Sequence, residues 1–423
     1  MNIPFKITYN TLLQTVGKVF TAASTIVVIG IITRSFPENV AAVGNYNTIL
    51  SYVFIFYVFT DFGLNAIFVR ETGRDPEKQK NYFKNLLGFR LVSSILVAFL
   101  ATAILAFTNH SSLVKLGIIL ALGLIITQSF VNTALALFQA RIRYGFVLVA
   151  DIFWALSNVI FVYLAATNFN SILFVIIAVV LASVTRAVVA LYLVRSQLGF
   201  LAFAFDTKLW RNILLAALPI GLVAIFSQFN AQIDKQIVFL SQYKPALNIS
   251  GEVAAGYYGL AYKIFEVAIV LPTYIMNVGF PLMISKKEEG AGSLLTFSKN
   301  LAAVLILLGV VGLVVGWFLA PWVVGILGVR GFEPSITTTR ILLVGFPLFF
   351  VTPLTLWLAI TLNKLREMVF IYGFAAVFNL VANLATVPQF GYNAAAVITI
   401  ISELVIFLLS VGVLLIAFRS ENP

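Results

Sequence analysis

Apolar runs of about 20 residues recur from one end of this 423-residue chain to the other. As an α-helix, a run of that length is long enough to cross the roughly 30 Å hydrocarbon core of a bilayer. Twelve can be marked, near 10–33, 45–69, 84–107, 113–138, 146–167, 171–194, 211–240, 254–284, 299–328, 336–361, 367–387 and 393–418. Membrane-spanning strands would instead be segments of about ten residues alternating in polarity, and no such pattern occurs. Only 10% of the residues are charged, far below the roughly 25% of soluble domains. An all-α polytopic membrane protein is expected.

The basic residues set an expected orientation. With the N-terminus inside, 17 Lys and Arg fall on the inner side, among them Lys6, Arg70, Arg74, Lys78, Lys80 and Lys84, while 5 fall on the outer side: Arg34, Lys115, Lys244, Arg330 and Arg340. By the positive-inside rule both termini are cytoplasmic. The net charge of +11 therefore reads as topology, with anionic lipid as the partner of the basic cluster after the second span, in preference to nucleic acid or a substrate clamp. The first span follows one basic residue and no small-residue cleavage site, so it reads as a retained helix rather than a signal peptide. The connections near 70–83, 195–210, 241–253 and 284–298 are too short for an extramembrane domain, which leaves the site among the helices. The only histidine, His110, lies in the loop TNHSS and reads as a solvated residue.

A short internal echo, VAAVGNY at 40–46 and VAAGYYG at 253–259, divides the chain into two six-span lobes, 1–205 and 206–423. An even number of spans per lobe gives the two lobes the same orientation, as parallel repeats.

Ionisable groups inside spans cost roughly 2.5–3.5 kcal/mol each on insertion scales, and their default reading is functional. Lys18, Arg90, Arg186, Lys235 and Lys263 stand against Asp61, Asp151, Asp234, Glu266 and Glu403, five bases and five acids. Lys18 shares a face with Gln14, Thr21 and Thr25, either lining a polar cavity or snorkelling to headgroups. Gln128, Asn132 and Gln139 share a face of span four; Asp151 and Asn158 lie two turns apart in span five; Ser183 and Arg186 lie in span six. Ser227, Asn230, Asp234 and Ser241 form a stripe in span seven, as do Tyr258, Tyr262, Glu266, Thr273 and Asn277 in span eight. Lys263 and Glu266, three residues apart, can also neutralise one another. Pro219, Pro272, Pro347 and Pro353 are expected to bend their helices. Glu403 reads as a packed or paired group. Cations on several helices suggest a basic cavity, and Lys and Arg suit phosphate.

Competing chemistry is sparse. The chain has no cysteine and no GxxxxGK[ST] loop, so thiolate sites and direct use of ATP drop out, and no histidine-based metal or catalytic set can be assembled. A membrane glycosyltransferase needs an exposed catalytic loop longer than these connections, which makes an enzyme the weaker class. A multidrug or organic-ion exporter remains the stronger alternative.

Five stretches, DFGLNAIFVRETGR, LFQARIRYGFVLVADI, LPIGLVAIFSQFNAQIDKQIV, GYYGLAYKIFEVAIVLP and VFNLVANLATVPQFGYNAAAVITIISE, together resemble the Wzx-type polysaccharide biosynthesis flippases of O-antigen and capsule assembly. That family belongs to the multidrug/oligosaccharidyl-lipid/polysaccharide (MOP) exporter superfamily. The resemblance implies a twelve-helix, two-lobed, V-shaped MOP/MATE-like transporter in a bacterial or archaeal cytoplasmic membrane. Its substrate would be an undecaprenyl-diphosphate-linked oligosaccharide, moved to the outer leaflet by alternating access for lipopolysaccharide or capsule. Contact with a polysaccharide polymerase or glycosyltransferases is implied as well. Asp61, Arg70, Asp234 and Lys263 stand within the matching motifs. The expected substrate contacts are Lys18, Arg90, Arg186, Lys235 and Lys263. No cofactor is expected, but coupling to H+ or Na+ through Asp61, Asp234 or Glu266 is, because low-dielectric surroundings shift the titration of a carboxylate.

Overall fold

The computed structural model describes residues 3–36, 39–73, 75–328 and 331–421, with side chains for all of these but 3–12, 15, 76, 274, 277, 278 and 421. Arg74, Arg330 and the side chains of Lys6 and Asn277 lie outside the described residues.

Span one is α1 (Ile3–Ser35), and span two is divided into α2 (Asn39–Asp61) and α3 (Leu64–Thr72). Span three is α4 (Pro76–Ala106), span four is divided into α5 (Ser112–Ala121) and α6 (Gly123–Ala140), and α7 (Tyr144–Phe169) and α8 (Ile172–Leu198) follow. The second six begin with α9 (Thr207–Leu240), then the divided α10 (Gly251–Ala268) and α11 (Val270–Glu288), and α12 (Ala291–Gly328). A further divided span, α13 (Pro334–Val344) and α14 (Phe346–Thr361), precedes α15 (Leu365–Phe390) and α16 (Tyr392–Glu421). Among the described residues 11 spans are long and apolar enough to cross a membrane, and 12 when the pair α13/α14, bent by 45°, is counted as one.

Each break has a local cause. Between α2 and α3, Phe62 and Gly63 adopt φ values of 44° and 68°, left-handed conformations that end a right-handed helix. A Cβ on Gly63 would also stand 2.7 Å from Ile220 Cγ2, so glycine is needed there for space as well as for φ. Pro272 is the third residue of α11 and Pro347 the second of α14, positions where the missing N–H would have had no intrahelical acceptor. The breaks fall at Ile269 and Gly345, just ahead of these prolines. Pro219, by contrast, lies inside the unbroken α9.

The chain forms two compact units, Met1–Gln228 and Phe229–Pro423, and the division lies inside α9. In the first unit α2 packs on α5, α3 on α6, α4 on α6, α5 on α8 and α6 on α8; in the second α10 packs on α13, α11 on α14, α12 on α14, α13 on α16 and α14 on α16. Adding eight to each label converts one set into the other. The divided spans also correspond, being the second and fourth of each six. From the second span of each six onward the two sets of helices thus share these packing pairs, with VAAVGNY and VAAGYYG near the start of the corresponding α2 and α10, whereas the packing of α1 on α7 and α2 has no comparable counterpart on α9.

Polar side chains join the helices where no water is available to hydrogen-bond them. Thr127 and Ser183 are 2.6 Å apart, Asn158 donates to Ser24 at 3.0 Å, and Asn379 donates to Ser402 at 3.1 Å. His110 departs from expectation. It is buried at 6% exposure, with Nδ1 2.8 Å from Thr108 Oγ1 and its ring edge-on to Tyr52 at 6.0 Å. A loop packed against α2 encloses it, whereas sequence position alone suggested solvent.

The connection after α8 is strapped across α4. Ala204 N–H donates to the Lys84 carbonyl at 3.0 Å, Asp206 N–H to Asn85 Oδ1 at 2.9 Å, and Trp210 Nε1–H to the Asn85 carbonyl at 3.0 Å. Gly88 faces the strap, and a Cβ there would come within 2.1 Å of the Ala204 carbonyl oxygen. Gly88→Ala is expected to cost about 1–3 kcal/mol by overpacking. A lowered unfolding temperature in detergent would show this, and an unchanged one would contradict the strap.

Candidate functional site

Ionisable side chains inside the spans gather into three clusters, two in the first unit and one in the second. The first forms at the break between α2 and α3. Asp61 ends α2 and Asn65 lies in the first turn of α3, so the break turns both toward α4, where Arg90 donates from Nη2 to Asp61 Oδ1 and to Asn65 Oδ1, each at 2.9 Å. Arg90 Nη1 donates to Thr133 Oγ1 at 3.3 Å, and Asn132 on the same helix, α6, donates to Asp61 at 2.8 Å and to the Tyr57 hydroxyl. Arg90 has no exposed surface, whereas Asp61 keeps 33% of its side chain exposed. The guanidinium is thus a fixed internal support, and the carboxylate is the group presented outward.

In the second cluster Arg186 on α8 donates to Asp151 on α7, and its Nη1 reaches Gln128 Oε1 at 3.4 Å. Its guanidinium also lies 5.7 Å from the centre of the Trp154 ring, within reach of cation–π attraction. Lys18 on α1 carries exposed surface close enough to feel the charges of Asp151 and Arg186. A Cβ on the adjacent Gly17 would lie 2.9 Å from Asp151 Oδ2, so α1 and α7 touch at this level. No ion pair forms on Lys18 among the described residues.

The third cluster lies on α9 and α10. Glu266 takes Lys235 on one oxygen at 2.7 Å and Lys263 on the other at 2.8 Å. Lys235 Nζ also donates to Gln232 at 3.0 Å and lies 4.1 Å from the centre of the Tyr262 ring. Asp234, fully buried one residue away, takes a different set of partners. It accepts hydrogen bonds from the Tyr258 hydroxyl, from Thr399 Oγ1 at 3.2 Å and from the Lys235 backbone N–H at 2.7 Å. It makes no ion pair with a side chain among the described residues. Glu403 on α16 is half-buried, within hydrogen-bonding reach of Thr352 and near Tyr262 and Tyr372.

Of the residues expected to hold substrate, Lys235 and Lys263 meet at one carboxylate, Arg186 is bound to Asp151, Arg90 is enclosed, and Lys18 stands beside the Arg186 pair. A uniformly basic cavity is therefore too simple a description, because four of the five cations are held by acids. Of the expected coupling acids, Asp61 is tied to Arg90 and Glu266 to two lysines, and Asp234 alone lacks a cation partner among the described residues. Arg70 is exposed on the surface and pairs with Glu71 at 3.0 Å, as a group at the end of a span does. Sequence reasoning missed Asn65, Thr133, Gln232 and Thr399. Asn65 had a detectable signal, being four residues after Asp61 across a glycine; Thr399 had none, since it is 165 residues from Asp234.

The profile of the family described as Polysaccharide biosynthesis protein matches residues 7–287, about two-thirds of the chain. The chain belongs to that family. Solved structures share its fold at low identity. An inward-facing multidrug resistance MATE family transporter of the MOP superfamily aligns over 98% of this chain and 100% of its own, with a TM-score of 0.72 at 13% identity. The lipid II flippase MurJ, in an inward closed conformation, aligns over 97% and 90% with a TM-score of 0.70 at 12% identity. A MOP superfamily transporter from Pyrococcus furiosus, described as having a binding pocket of reversed polarity, aligns over 97% and 96% with a TM-score of 0.69 at 14% identity. None of the curated proteins compared matches. The fold is thus that of the MOP/MATE-like transporters.

Removing one partner from a buried pair leaves an uncompensated charge, at a cost of about 3–5 kcal/mol, whereas replacing both with apolar groups is often close to neutral. Arg90→Met is accordingly expected to destabilise the protein strongly, and Asp61→Leu combined with Arg90→Met to recover most of the loss. Thermal unfolding of the single and double variants in detergent measures the coupling; additive losses would contradict the pairing.

Proposed function

We propose that this family member flips a lipid-linked oligosaccharide carried on undecaprenyl diphosphate from the inner to the outer leaflet of a cytoplasmic membrane, with both termini inside. Neither a glycan nor a diphosphate crosses about 30 Å of hydrocarbon unaided, whereas the polyprenyl tail stays in lipid. The transporter has to replace the hydration of the headgroup and nothing more.

The observation that carries this reading is a set of cations that an anion can reach. Lys18 has exposed surface and no ion-pair partner among the described residues, and Lys235 and Lys263 share a single carboxylate that is itself 27% exposed. A diphosphate brings charge and several acceptor oxygens to such groups, and charge-assisted hydrogen bonds are the strong ones. An exporter of organic cations needs the reverse, accessible carboxylates without bound cations. Asp234 is the proposed coupling group for H+ or Na+, since a buried acid held only by hydroxyl and backbone donors keeps lone pairs for a cation.

In proteoliposomes loaded with a fluorescent undecaprenyl-diphosphate oligosaccharide, Lys18→Ala is expected to slow flipping about 10- to 100-fold, the loss of one hydrogen bond to a charged group of about 1.5–3 kcal/mol. Lys18→Arg should retain most of the rate. Normal flipping by Lys18→Ala at equal protein levels would remove it from the substrate site, and drug resistance on expression would favour the exporter reading.

An imposed proton or sodium gradient should accelerate flipping by the native protein but not by Asp234→Asn. A gradient response that survives in Asp234→Asn would assign coupling elsewhere.

A further inference from the structure

A cavity of about 470 Å³ opens at the end of the second unit opposite the C-terminus, where the α9–α10 connection, the start of α13 and the α15–α16 junction meet. It shares no residue with the charge clusters. Ligand pockets commonly enclose about 300–1,000 Å³, so the volume suits a small molecule. Among the described residues no Lys, Arg, Asp, Glu or His lines it.

The wall has two kinds of surface. Tyr257 and Tyr392 form the aromatic side, with ring centres 5.6 Å apart at 42°, and Phe390 adds an exposed ring beside them. Phe332 packs edge-on against Tyr257 at 6.3 Å and braces it from behind. The polar side is made of neutral, two-way hydrogen-bonding groups: the amides of Asn248 and Asn393 and the hydroxyl of Ser250. Asn393 uses its Oδ1 to accept from Thr338 at 2.6 Å, which orients the amide and leaves Nδ2 for a ligand.

The wall is also formed in advance. Lys244 N–H donates to the Pro388 carbonyl at 3.1 Å, fastening the α9–α10 connection to the end of α15. Gly251 lies so close to α9 that a Cβ would stand 1.9 Å from the Phe239 carbonyl oxygen. Asn248 and Gly391 turn the chain with φ values of 42° and 82°. A site held in its binding shape avoids the ordering cost that a loop site incurs.

Flat aromatic faces beside amide and hydroxyl groups, with no net charge, complement a pyranose, which offers a C–H face for stacking and hydroxyls that both donate and accept. We propose that this pocket is a saccharide-binding site for a neutral sugar unit. Its placement on the outer side, where it would receive the glycan as it emerges, rests on the flippase reading; its affinity for sugar does not.

The test is saturation-transfer difference NMR on the full protein in nanodiscs, with N-acetylglucosamine, galactose, mannose and glucuronic acid as separate probes. At least one neutral sugar is expected to receive saturation on its ring protons. Tyr392→Ala should weaken that binding about tenfold or more, and Tyr392→Phe should preserve it. No transfer to any neutral sugar, stronger binding of glucuronic acid, or full binding by Tyr392→Ala would each overturn the proposal. Lys18→Ala separates the two readings, because it should bind sugar normally while flipping slowly. Sugar binding by a protein that flips no lipid-linked glycan would retain the site and remove the flippase reading.

Discussion

An ionised side chain inside an apolar helix has to bring its counter-charge and hydrogen-bond partners with it, because lipid supplies neither. That requirement shapes the middle of this structure. Arg90, with no exposed surface, is tolerable only because Asp61, Asn65 and Thr133 converge on it. Their convergence depends on the interruption at Phe62 and Gly63, which lets the end of one helix and the start of the next face the same guanidinium. An unbroken span two would put Asp61 and Asn65 on one helical face but without the turn that spreads them around Arg90. The break and the buried charge are two sides of one arrangement.

The architecture was legible because its signal is cumulative. Twenty apolar residues in succession have few alternative structures, and every expected span corresponds to a helix or a divided helix. Pro272 and Pro347 foretold two of the breaks, each just upstream of the proline. The break at Leu122 between α5 and α6 carries no proline, and only its counterpart at Gly345 in the second unit makes it intelligible. The charge pairs were not legible. Asp61 and Arg90 are 29 residues apart, Asp151 and Arg186 are 35 apart, and Lys235 and Glu266 are 31 apart. Periodicity identifies the face a residue occupies on its own helix, but which faces meet is decided by packing. Lys263 and Glu266, one turn apart, were the exception because their partnership is local. His110 failed for the same reason in reverse, a loop position giving no warning that α2 would cover it.

The repeated packing separates what the fold needs from what the site needs. From the second span onward both sets of six repeat much of the helix packing and the same divided spans, yet their charges do not correspond. The first unit places Asp61 and Arg90 on its second and third spans and Lys18, Asp151 and Arg186 on its first, fifth and sixth, whereas Lys235, Lys263 and Glu266 lie on the first and second spans of the second six. A repeated scaffold constrains small and apolar contacts between helices, and polar sites are grafted onto it afterwards. Residues outside the repeat pattern are therefore the ones whose presence packing alone does not explain.

Accessibility then sorts the charged groups by what they can exchange. An anion can displace a carboxylate from a lysine only where solvent and ligand reach the pair, because separating charges in an enclosed site leaves both unsolvated. Arg90 fails this condition. Lys263 and Glu266, at 19% and 27% exposed, meet it, and Lys18 needs no displacement at all. Asp234 and Lys235 are adjacent in sequence but lie on opposite sides of this division. The lysine side chain joins the exchangeable cluster, while the carboxylate turns inward to Tyr258 and Thr399, on α10 and α16. A change in what Asp234 binds would therefore act on the packing of α10 and α16, and a change in what Glu266 binds would act on Lys235 and Lys263. Two neighbouring residues on α9 thereby join the Lys263–Glu266 cluster to the contacts among α9, α10 and α16.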